Sequence, residues 1–347
     1  MSAWLITGGA GFIGSNFVRL ALEHAAAPLI VVDNLTYAGD LATIKDLLPR
    51  IQFVEGDICD AELIASLFQQ HEFSRVIHFA AESHVDRSIL GPGAFVHTNV
   101  AGTSTMLEAA RQAWKSFEGR LFLHVSTDEV YGSLGPDDPP FNENSPYLPN
   151  SPYAASKAGA DHLVWAWHKT YGLPAIITNC SNNYGPWQYP EKLIPLMILN
   201  ALEGKPLPVY GDGRQIRDWI HVEDHCRGLM AVMEKGQLGE TYVIGAVNEV
   251  ANIDIVHQIC SAVDESEGRV RGDTEKLIRN VEDRPGHDRR YALDSTKVSR
   301  KTGWKPIYDL HSSLPMLVDW YKNNQAWLKI VRAKGFSDYY ERQYAQR

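Results

Sequence analysis

Apolar runs of four or five residues alternate with longer helical patterns along the first half of the chain. The runs that predict buried strands are residues 4–7, 29–33, 51–54, 76–80, 121–125 and 175–179. The segments with apolar positions at helical spacing are 12–23, 61–70, 98–114 and 152–171. Strands that alternate with helices in this order predict an α/β fold with a doubly wound parallel sheet of the Rossmann type.

The pattern is less regular in the second half. Residues 132–150 contain five prolines and follow neither the helical nor the strand period, which predicts a loop. Residues 182–187 predict a turn, 190–195 the start of a helix, and 208–213 a short strand with a turn. A length of 347 residues allows about two domains. We predict one unit at 1–180 and a smaller, mostly C-terminal unit at 181–347, with some strands and helices interleaved.

Composition narrows the class of protein. The net charge of −9 excludes general nucleic-acid binding, because there is no basic excess to release counterions. The four cysteines (Cys59, Cys180, Cys226 and Cys260) are far apart, which is typical of free thiols in a reducing cytosol. The N-terminus has no apolar signal core, and no apolar run approaches the roughly 20 residues that span a bilayer. The sequence therefore predicts a soluble cytoplasmic protein without membrane contact.

Glycines follow the first predicted strand and open the first predicted helix. Gly9, Gly11 and Gly14 match Gly-x-Gly-x-x-Gly, while Gly8, Gly11 and Gly14 match Gly-x-x-Gly-x-x-Gly. Such glycines let backbone N–H groups approach a diphosphate at a helix N-terminus. Asp33 ends the second predicted strand about 20 residues later, where an acid can hold the ribose hydroxyls of NAD and repel the extra phosphate of NADP. We therefore predict NAD as the cofactor.

Two further strand ends fit the same cofactor. Asp57 follows the third predicted strand and is placed to reach an adenine amino group. Ala80 and Ala81 leave the fourth predicted strand, and small residues there let a dinucleotide lie against the backbone.

The fifth predicted strand ends in four polar residues, 126–129. Asp128 and Glu129 are neighbouring carboxylates, which can serve as one acid and one base where the environment separates their pKa values. The same residue types are common at helix N-termini, so the pair alone does not define a catalytic site.

A second group of reactive side chains lies on the helix at 152–171, with Ser151 as its N-cap and Pro152 at its first position. Tyr153 and Lys157 are four residues apart and therefore share one face. A lysine cation beside a phenol lowers the phenol pKa from about 10. A tyrosine tuned in this way can take a hydroxyl proton while the adjacent carbon loses hydride to a nicotinamide.

Several cations in the second half are candidates for an anionic substrate. The guanidinium group of Arg217 suits a diphosphate, because its donor fork matches the oxygens. Arg284, Arg289 and Arg290 are further candidates, although a surface role for the last two is an equal alternative. Tyr210, in the predicted strand at 208–213, could stack on a base.

These features together resemble the extended short-chain dehydrogenase/reductase family, and within it the nucleotide-sugar 4,6-dehydratases. The similarity runs from residue 3 to about residue 322, and the loop at 135–149 and the final stretch match no motif. The motifs that carry it are AAESHVDRS at 80–88, STDEVYG at 126–132, NCSNNYGP at 179–186 and DRPGHDRRY at 283–291. The resemblance implies deoxysugar biosynthesis, as in the rhamnose pathway.

The resemblance implies oxidation of thymidine-diphosphate glucose at C4, elimination of water across C5–C6, and return of the hydride to C6. Its catalytic residues are Asp128 as acid, Glu129 as base, Tyr153 as oxidation base, Lys157 beside it, and Thr127 bonded to the sugar. The implied cofactor contacts are Gly8, Gly11, Phe12, Ile13, Gly14, Asp33, Asn34, Leu35, Thr36, Asp57, Ile58, Ala80, Ala81, Ser83, Thr98, Tyr153, Lys157 and Asn183. The implied substrate contacts are Ser83, Thr127, Asn182, Lys192, Leu193, Pro208, Tyr210, Arg217, Asn252, Asp283, Arg284 and His287. It also implies a homodimer formed through helices 98–114 and 152–171.

Alternatives stay open at this point. A sugar-nucleotide 4-epimerase shares the glycine turn, Tyr153 and Lys157 but does not need an adjacent acid–base pair. A 4,6-dehydratase acting on uridine- or other nucleotide-linked sugars would use the same phosphate and sugar contacts. A non-catalytic NAD-binding sensor would not need Tyr153, Lys157, Asp128 or Glu129, all of which are present. His221 and His225 have the spacing of a helical zinc pair, but no third ligand is evident and the chemistry needs no metal.

Overall fold

The computed structural model describes residues 2–25 and 27–334. Met1, Ala26 and residues 335–347 lie outside this description, and with them the end of the stretch in which the sequence shows no motif. The strands are β1 (Ala3–Thr7), β2 (Leu29–Asp33), β3 (Gln52–Glu55), β4 (Phe73–His78), β5 (Leu121–Thr127), β6 (Ala175–Cys180), β7 (Asn182–Tyr184), β8 (Leu207–Tyr210), β9 (Ile216–His221), β10 (Thr241–Ile244), β11 (Glu249–Ala251) and β12 (Ile278–Val281).

The α-helices are α1 (Phe12–His24), α2 (Leu41–Ile44), α3 (Ala61–Gln70), α4 (Val85–Leu90), α5 (Pro92–Phe95), α6 (Thr103–Ala113), α7 (Pro152–Tyr171), α8 (Leu193–Leu202), α9 (Val222–Lys235), α10 (Asn252–Glu267), α11 (Thr296–Thr302), α12 (Leu310–Asn323) and α13 (Gln325–Arg332). A π-helical turn covers Val96–Gly102, and 3₁₀ turns cover Leu48–Arg50, Asp128–Tyr131 and Thr274–Leu277.

Seven parallel strands form the main sheet in the order β10-β6-β5-β4-β1-β2-β3. The strand order reverses between β1 and β4, because β2 and β3 extend from one side of β1 and β4 to β6 from the other. Ligands in open α/β sheets bind beyond the carboxyl ends of the strands at such a reversal. The doubly wound Rossmann-type fold predicted from the apolar pattern is confirmed.

Helices cover both faces of this sheet. On one face, α1, α9 and α11 pack together over apolar side chains such as Phe17, Ile6 and Leu229. On the other, α3, α6 and α7 pack over side chains such as Met106 and Phe122. Strands covered on both faces must be apolar on both, which is why the sequence shows continuous apolar runs instead of alternation.

The second half of the chain contributes to both parts of the molecule. The small sheets, β11-β9-β7 and β12-β8, lie with α8, α10 and α12 around a separate apolar core. However, β10 pairs with β6 in the main sheet, and α9 and α11 pack against that sheet. The proposed boundary at residue 180 therefore stays a prediction, and elements from beyond it interleave with the first unit.

Local boundaries differ from the sequence prediction in several places; β4, for example, covers 73–78 instead of 76–80. Residues 182–184, predicted as part of a turn, form β7, because they pair in parallel with β9. The helix predicted at 98–114 consists of the π-helical turn at 96–102 followed by α6. The helix predicted to open at 190 begins instead at Leu193, after a turn.

The last described helix returns to the N-terminal part of the molecule. Trp327 Nε1 of α13 donates a hydrogen bond to Thr43 Oγ1 of α2 at 3.0 Å. Lys334 Nζ pairs with Asp40 at 2.7 Å and donates to the Gly39 carbonyl at 3.2 Å. The segment before α2 is thus held by residues almost 300 positions later in the chain.

Candidate active site

One cavity of about 330 Å³ lies at the carboxyl edge of the main sheet, where the strand order reverses. It is lined by the segments that follow β1, β2, β3, β4, β5 and β6, and by one face of α7. The predicted cofactor residues in its lining are Gly8, Gly11, Phe12, Ile13, Gly14, Asp33, Asn34, Thr36, Asp57, Ile58, Ala80, Ala81, Ser83, Thr98, Tyr153, Lys157 and Asn183. Its volume is in the range of small-molecule sites.

The glycine turn is closely packed against the rest of the site. Gly8 has φ of +71°, and a Cβ there would lie 2.7 Å from the backbone nitrogen of Ala80. A Cβ on Gly14 would lie 2.2 Å from the carbonyl oxygen of Gly8. The turn can therefore hold only glycine at these positions, and it leaves the N-terminus of α1 open to the cavity. We call this part of the cavity, with Asp33 and Asp57, the dinucleotide end.

Asp33 organises the dinucleotide end through backbone contacts. Its Oδ2 accepts a hydrogen bond from Ala10 N and its Oδ1 one from Leu35 N, both at 2.9 Å. Burial raises the pKa of Asp33, while these two hydrogen bonds lower it. Each carboxylate oxygen has a second lone pair for a ribose hydroxyl. Leu35, predicted to contact the cofactor, lies outside the cavity lining and acts here through its backbone.

Asp57 is fixed in a similar way. Its Oδ1 accepts from Cys59 N at 2.8 Å, and its Oδ2 accepts from Asn34 Nδ2 at 3.0 Å. The side chain therefore lies at the cavity edge with a defined orientation, on the same side as Asp33. The glycine turn, the buried Asp33 and the oriented Asp57 provide the donors and acceptors that a bound NAD requires.

The opposite part of the cavity, which we call the catalytic end, is formed by Thr127, Asp128, Glu129, Tyr153 and Lys157. β5 continues two residues beyond its apolar run, and a 3₁₀ turn then begins at Asp128. The Thr127 hydroxyl accepts from Glu129 N at 3.2 Å and so caps this turn. The cap directs both carboxylates toward α7 and the cavity.

The two carboxylates differ in their electrostatic environment. Burial is the main cause that raises the pKa of Asp128 well above its usual value, and the charges of Glu129 and Asp218 raise it further. Burial also raises the pKa of Glu129, but the nearby cations Arg284 and Arg217 lower it. These influences favour the proton on Asp128 over Glu129. Within the described residues, Asp128 Oδ2 is buried and has no hydrogen-bond partner, so it is available to a ligand.

Tyr153 and Lys157 lie on one face of α7, as their spacing predicts, and α7 begins with the predicted Ser151 cap and Pro152. Lys157 Nζ donates to the carbonyl of Val125 at 2.9 Å. The expected lowering of the phenol pKa is not found: burial, and next the charge of Glu129, raise the pKa of Tyr153 well above its usual value. The carboxylates of the catalytic end thus oppose the effect expected from the lysine.

Three cations approach the catalytic end from the second half of the chain, and we call Lys192, Arg217 and Arg284 the cationic flank. Lys192 lines the cavity and donates to the Ser83 carbonyl at 3.1 Å. Arg217 is 5% exposed, donates to the Asp288 carbonyl at 2.9 Å and lies with its guanidinium carbon 4.3 Å from the Tyr291 ring centre. Each of the three lowers the pKa of Glu129.

Asp86 connects the cationic flank to the motif after β4. Arg284 Nη1 lies 3.0 Å from Asp86 Oδ1, and the Tyr210 hydroxyl donates to Asp86 Oδ2 at 3.1 Å. Asp86 belongs to the motif at 80–88, but the sequence predicts no role for it. A pairing between residues 198 positions apart has no local pattern that could predict it.

The other predicted substrate residues fall into two groups. Asn182 lies in the cavity lining, as do Ser83 and Thr127. Those outside it are Leu193, Pro208, Tyr210, Arg217, Asn252, Asp283, Arg284 and His287. Several of these contact one another: His287 Nδ1 lies 2.6 Å from Asp283 Oδ1, and the rings of His287 and Tyr210 are 6.1 Å apart in an edge-on arrangement.

Some cavity residues were not predicted at all. They are Glu82, Ser181, Gln188, Tyr189 and Glu191, among others. Glu82 and Ser181 come after β4 and β6, where strand ends meet at the cavity, and this position was the available indication. Gln188, Tyr189 and Glu191 lie between β7 and α8, where no pattern in the sequence indicated them. Arg289, in contrast, forms an exposed ion pair with Asp212, and Arg290 forms a partly buried one with Glu249.

The proposed histidine pair has other contacts. His225 Nδ1 lies 2.9 Å from Asn183 Oδ1, and burial lowers its pKa to about 3. Residues 2–25 and 27–334 contain no group of three His, Cys, Asp or Glu side chains arranged to hold a metal ion. In the same residues, no helix is both long enough and apolar enough to cross a membrane.

Comparison with known proteins shows the family to which the chain belongs. The family model described as GDP-mannose 4,6 dehydratase matches residues 5–317. A dTDP-glucose 4,6-dehydratase of Xanthomonas campestris pv. campestris is 53% identical over 95% of this chain and 96% of its own length. A dTDP-glucose 4,6-dehydratase of Escherichia coli is 51% identical over 99% of both chains.

Solved structures of related enzymes have the same fold. A Streptomyces venezuelae dTDP-glucose 4,6-dehydratase, crystallised with NAD bound, has 46% identity and a TM-score of 0.86, covering 95% of this chain and 99% of its own. A UDP-glucose 4-epimerase of Thermus thermophilus in complex with NAD has 27% identity and a TM-score of 0.81, covering 93% and 99%. The chain belongs to the dTDP-glucose 4,6-dehydratases of the extended short-chain dehydrogenase/reductase family, as the motifs predicted.

Proposed function

We propose that this chain, as a member of that family, converts dTDP-glucose to dTDP-4-keto-6-deoxyglucose with a retained NAD. The observation that carries the proposal is the presence of the Asp128–Glu129 pair opposite Tyr153 in one cavity that also contains the glycine turn. These residues supply a proton acceptor for oxidation, an acid and a base for elimination, and a site for the dinucleotide.

The dinucleotide end would hold the cofactor. The open N-terminus of α1 faces the diphosphate, and the Asp33 carboxylate retains lone pairs for a ribose hydroxyl. A bound NAD supplies the acceptor for the hydride of C4 and the donor of a hydride to C6.

Tyr153 takes the proton of the C4 hydroxyl in the oxidation, which requires that the positive charge of a bound NAD⁺ lower the phenol pKa that burial raises. The Thr127 hydroxyl hydrogen-bonds Tyr153 and opposes the rise in the pKa of the phenol. Lys157 supplies the positive charge on the same helical face. Together these residues place a proton acceptor and its counter-charge at the point where the sugar enters the catalytic end.

Asp128 and Glu129 carry the elimination. The C5 proton becomes acidic once C4 is a ketone, and the Glu129 carboxylate removes it. Asp128, which burial keeps protonated, donates its proton to the C6 hydroxyl, which leaves as water. Glu129 then returns its proton to C5 as C6 is reduced. Each proton transfer of this kind typically contributes about 10²–10⁴-fold in rate.

The cationic flank suits the anionic part of the substrate. Arg217, Arg284 and Lys192 are mostly buried and lie on the side of Glu129 that faces the second half of the chain. A nucleoside diphosphate has the charge and oxygen geometry that two guanidinium groups and an ammonium group recognise. The nucleobase itself is assigned from the related enzymes.

The epimerase alternative is less well supported. A 4-epimerase needs the oxidation of C4 but no acid for the C6 hydroxyl. The buried, unpartnered Asp128 Oδ2 would then be an uncompensated cost in stability, because an unsatisfied buried polar group costs about 1–3 kcal/mol.

Incubation with dTDP-glucose tests the proposal. We expect a product lighter by one water, with the ultraviolet absorbance of a 4-keto sugar in alkali, and little turnover of UDP-glucose or GDP-mannose. An epimeric product of unchanged mass would support the epimerase instead. Protein that lacks bound dinucleotide and does not take it up would contradict both.

A cytoplasmic homodimer completes the proposal. Leu90, at the end of α4, is 76% exposed, and Val96, the first residue of the π-helical turn that leads into α6, is 56% exposed. Such apolar exposure next to α7 fits a two-helix contact with a second copy. Four free thiols fit a reducing compartment. We expect sedimentation equilibrium to give a molecular mass of twice 38.8 kDa.

A further inference from the structure

A fully buried carboxylate lies one helical turn beyond Lys157, outside the cavity lining. Asp161 on α7 is 0% exposed. Its Oδ2 accepts hydrogen bonds from Ser126 Oγ at 2.9 Å, the Tyr147 hydroxyl at 2.8 Å and Asn179 Nδ2 at 3.2 Å. The three donors come from β5, the loop before α7, and β6. A buried acceptor with three donors is an organised feature of the fold, and neither the motifs nor the proposed chemistry uses it.

Two of these donors lead directly to the catalytic end. Asn179 Nδ2 also donates to the carbonyl of Thr127 at 3.0 Å, and its Oδ1 accepts from the Tyr131 hydroxyl at 3.2 Å. Ser126 immediately precedes Thr127 in β5. The Asp161 carboxylate therefore fixes the last residues of β5 relative to α7.

The charge of Lys157 also requires an explanation. The ammonium is buried at 4% exposure, and its observed acceptor is the neutral carbonyl of Val125. Burial lowers the pKa of Lys157, and the charge of Asp161 is the largest influence that raises it. A buried ammonium group that lacks a counter-charge tends to lose its proton.

The other groups around Lys157 do not provide that counter-charge. The titratable groups that face it are Tyr153 and Asp161 from α7, His78 from β4, His124 from β5 and Cys180 from β6. Burial lowers the pKa of both histidines, which makes them neutral at pH 7. Burial raises the pKa of the Cys180 thiol to about 12, so it is neutral as well. His124 Nε2 lies 3.1 Å from Asp161 Oδ1.

We propose that Asp161 is a positioning residue for the oxidation step: it keeps the Lys157 ammonium charged beneath Tyr153 and holds the end of β5 against α7. The assignment of the step rests on the proposed function, whereas the electrostatic effect of Asp161 on Lys157, four residues earlier on the same helix, does not. Asp161 touches no part of the cavity, so it acts through Lys157, Ser126 and Asn179.

The first test measures stability and is independent of activity. In Asp161→Asn, the Lys157 ammonium loses its counter-charge, and its pKa in the folded protein falls further below the unfolded value. The loss in the free energy of unfolding is then largest below the pKa of Lys157 in the folded protein. It disappears above about pH 10.4, the pKa of a lysine in the unfolded chain. We expect the loss in urea midpoint relative to the parent protein at pH 7 to fall to about half or less by pH 10. An equal loss at both pH values would overturn the charge pairing.

Ser126→Ala is the matched control. It removes one hydrogen bond to the same carboxylate, leaves the charge in place and involves no titrating side chain, so its loss in midpoint should not change between pH 7 and pH 10. If Asp161→Asn does not fold, the double variant Asp161→Asn with Lys157→Met shows whether the unpaired Lys157 cation is the cause. Removing the unpaired cation should restore folding, and failure of the double variant to fold would contradict the proposal.

The second test uses the reaction itself. The reduction of bound NAD by dTDP-glucose, followed by absorbance in a single turnover, should be slower in Asp161→Asn by a factor that grows with pH. The alkaline limb of the rate profile should move to lower pH by about 1–3 units, while Asp161→Glu keeps the parent profile. A factor that is the same at every pH would mean a structural role only. If the parent protein does not reduce NAD, the proposed function fails, and the stability test still decides the pairing.

Discussion

Backbone atoms form the dinucleotide end of the cavity, whereas charged side chains from distant segments form the cationic flank. At the dinucleotide end, the glycine turn and the N–H groups that hold Asp33 all lie within the first 35 residues, and Asp57 follows two strands after the turn. The cationic flank depends on contacts such as Arg284 with Asp86, 198 positions apart. A backbone cradle has one conformation, while an ion pair can exchange its partner for a substrate oxygen. We therefore expect the dinucleotide end to hold its ligand through many turnovers, and the cationic flank to bind the substrate and release the product.

Replacing a turn glycine should have the largest effect. Gly14→Ala places a Cβ 2.2 Å from the Gly8 carbonyl oxygen, so the turn cannot keep its shape. We expect purified protein without NAD and without measurable activity, as determined from the absorbance of extracted dinucleotide. Gly93→Ala is the control, because a Cβ there meets nothing within 4 Å, and it should retain both bound NAD and activity. Bound NAD in Gly14→Ala would show that the turn is not the cradle.

Changes to the carboxylate pair should have the next largest effect. Asp128→Asn removes the acid for the C6 hydroxyl, so turnover should fall by about 10²–10⁴-fold while reduced cofactor still accumulates. Glu129→Gln should also stop turnover, but it should suppress the exchange of the C5 proton with deuterated solvent. The two variants are compared by absorbance of the reduced cofactor and by mass spectrometry of the sugar. Normal turnover of Asp128→Asn would remove its assignment as the acid.

Arg284 should affect binding more than catalysis. Arg284→Ala removes a charge-assisted contact worth about 1.5–3 kcal/mol, which corresponds to a rise in KM of roughly 10- to 100-fold. Arg289→Ala is a matched control in the same segment, because its ion pair with Asp212 is exposed at 54% and 57%. An exposed pair contributes little, so its KM should change less than about twofold. Equal effects in the two variants would contradict the distinction between flank and surface.

The contact between α13 and α2 should give the smallest effect. Thr43→Val removes the acceptor for Trp327 Nε1 and should lower stability by about 1 kcal/mol. Thr43→Ser keeps the hydroxyl and is the control. The two variants are compared by their midpoints of urea unfolding. Because Gly39, next to α2, lines the cavity, the retention time of bound NAD should also shorten, and only in the valine variant.

The asymmetry between the two ends also explains what the sequence could predict. The glycine turn, Asp33, Asp57 and the Tyr153–Lys157 spacing are local patterns, each tied to a strand end or a helix start, and the structure places all of them in the cavity. Asp86 and Asp161 were not recognised because their partners come from other strands and loops. The pKa of Tyr153 was predicted to fall, but it rises, because burial depends on the packing of the complete site. Long-range pairing similarly turned part of the predicted turn at 182–187 into β7.

The outermost strand of the main sheet has a consequence for how the protein is made. β10 pairs with β6, but about 60 residues of chain separate them. While the ribosome is still adding those residues, the backbone groups along the free side of β6 have no partner and form an open edge of the kind that templates aggregation. Synthesis must therefore pass residue 244 before β10 can cover β6, and a fragment ending at residue 180 would leave β6 as the exposed edge.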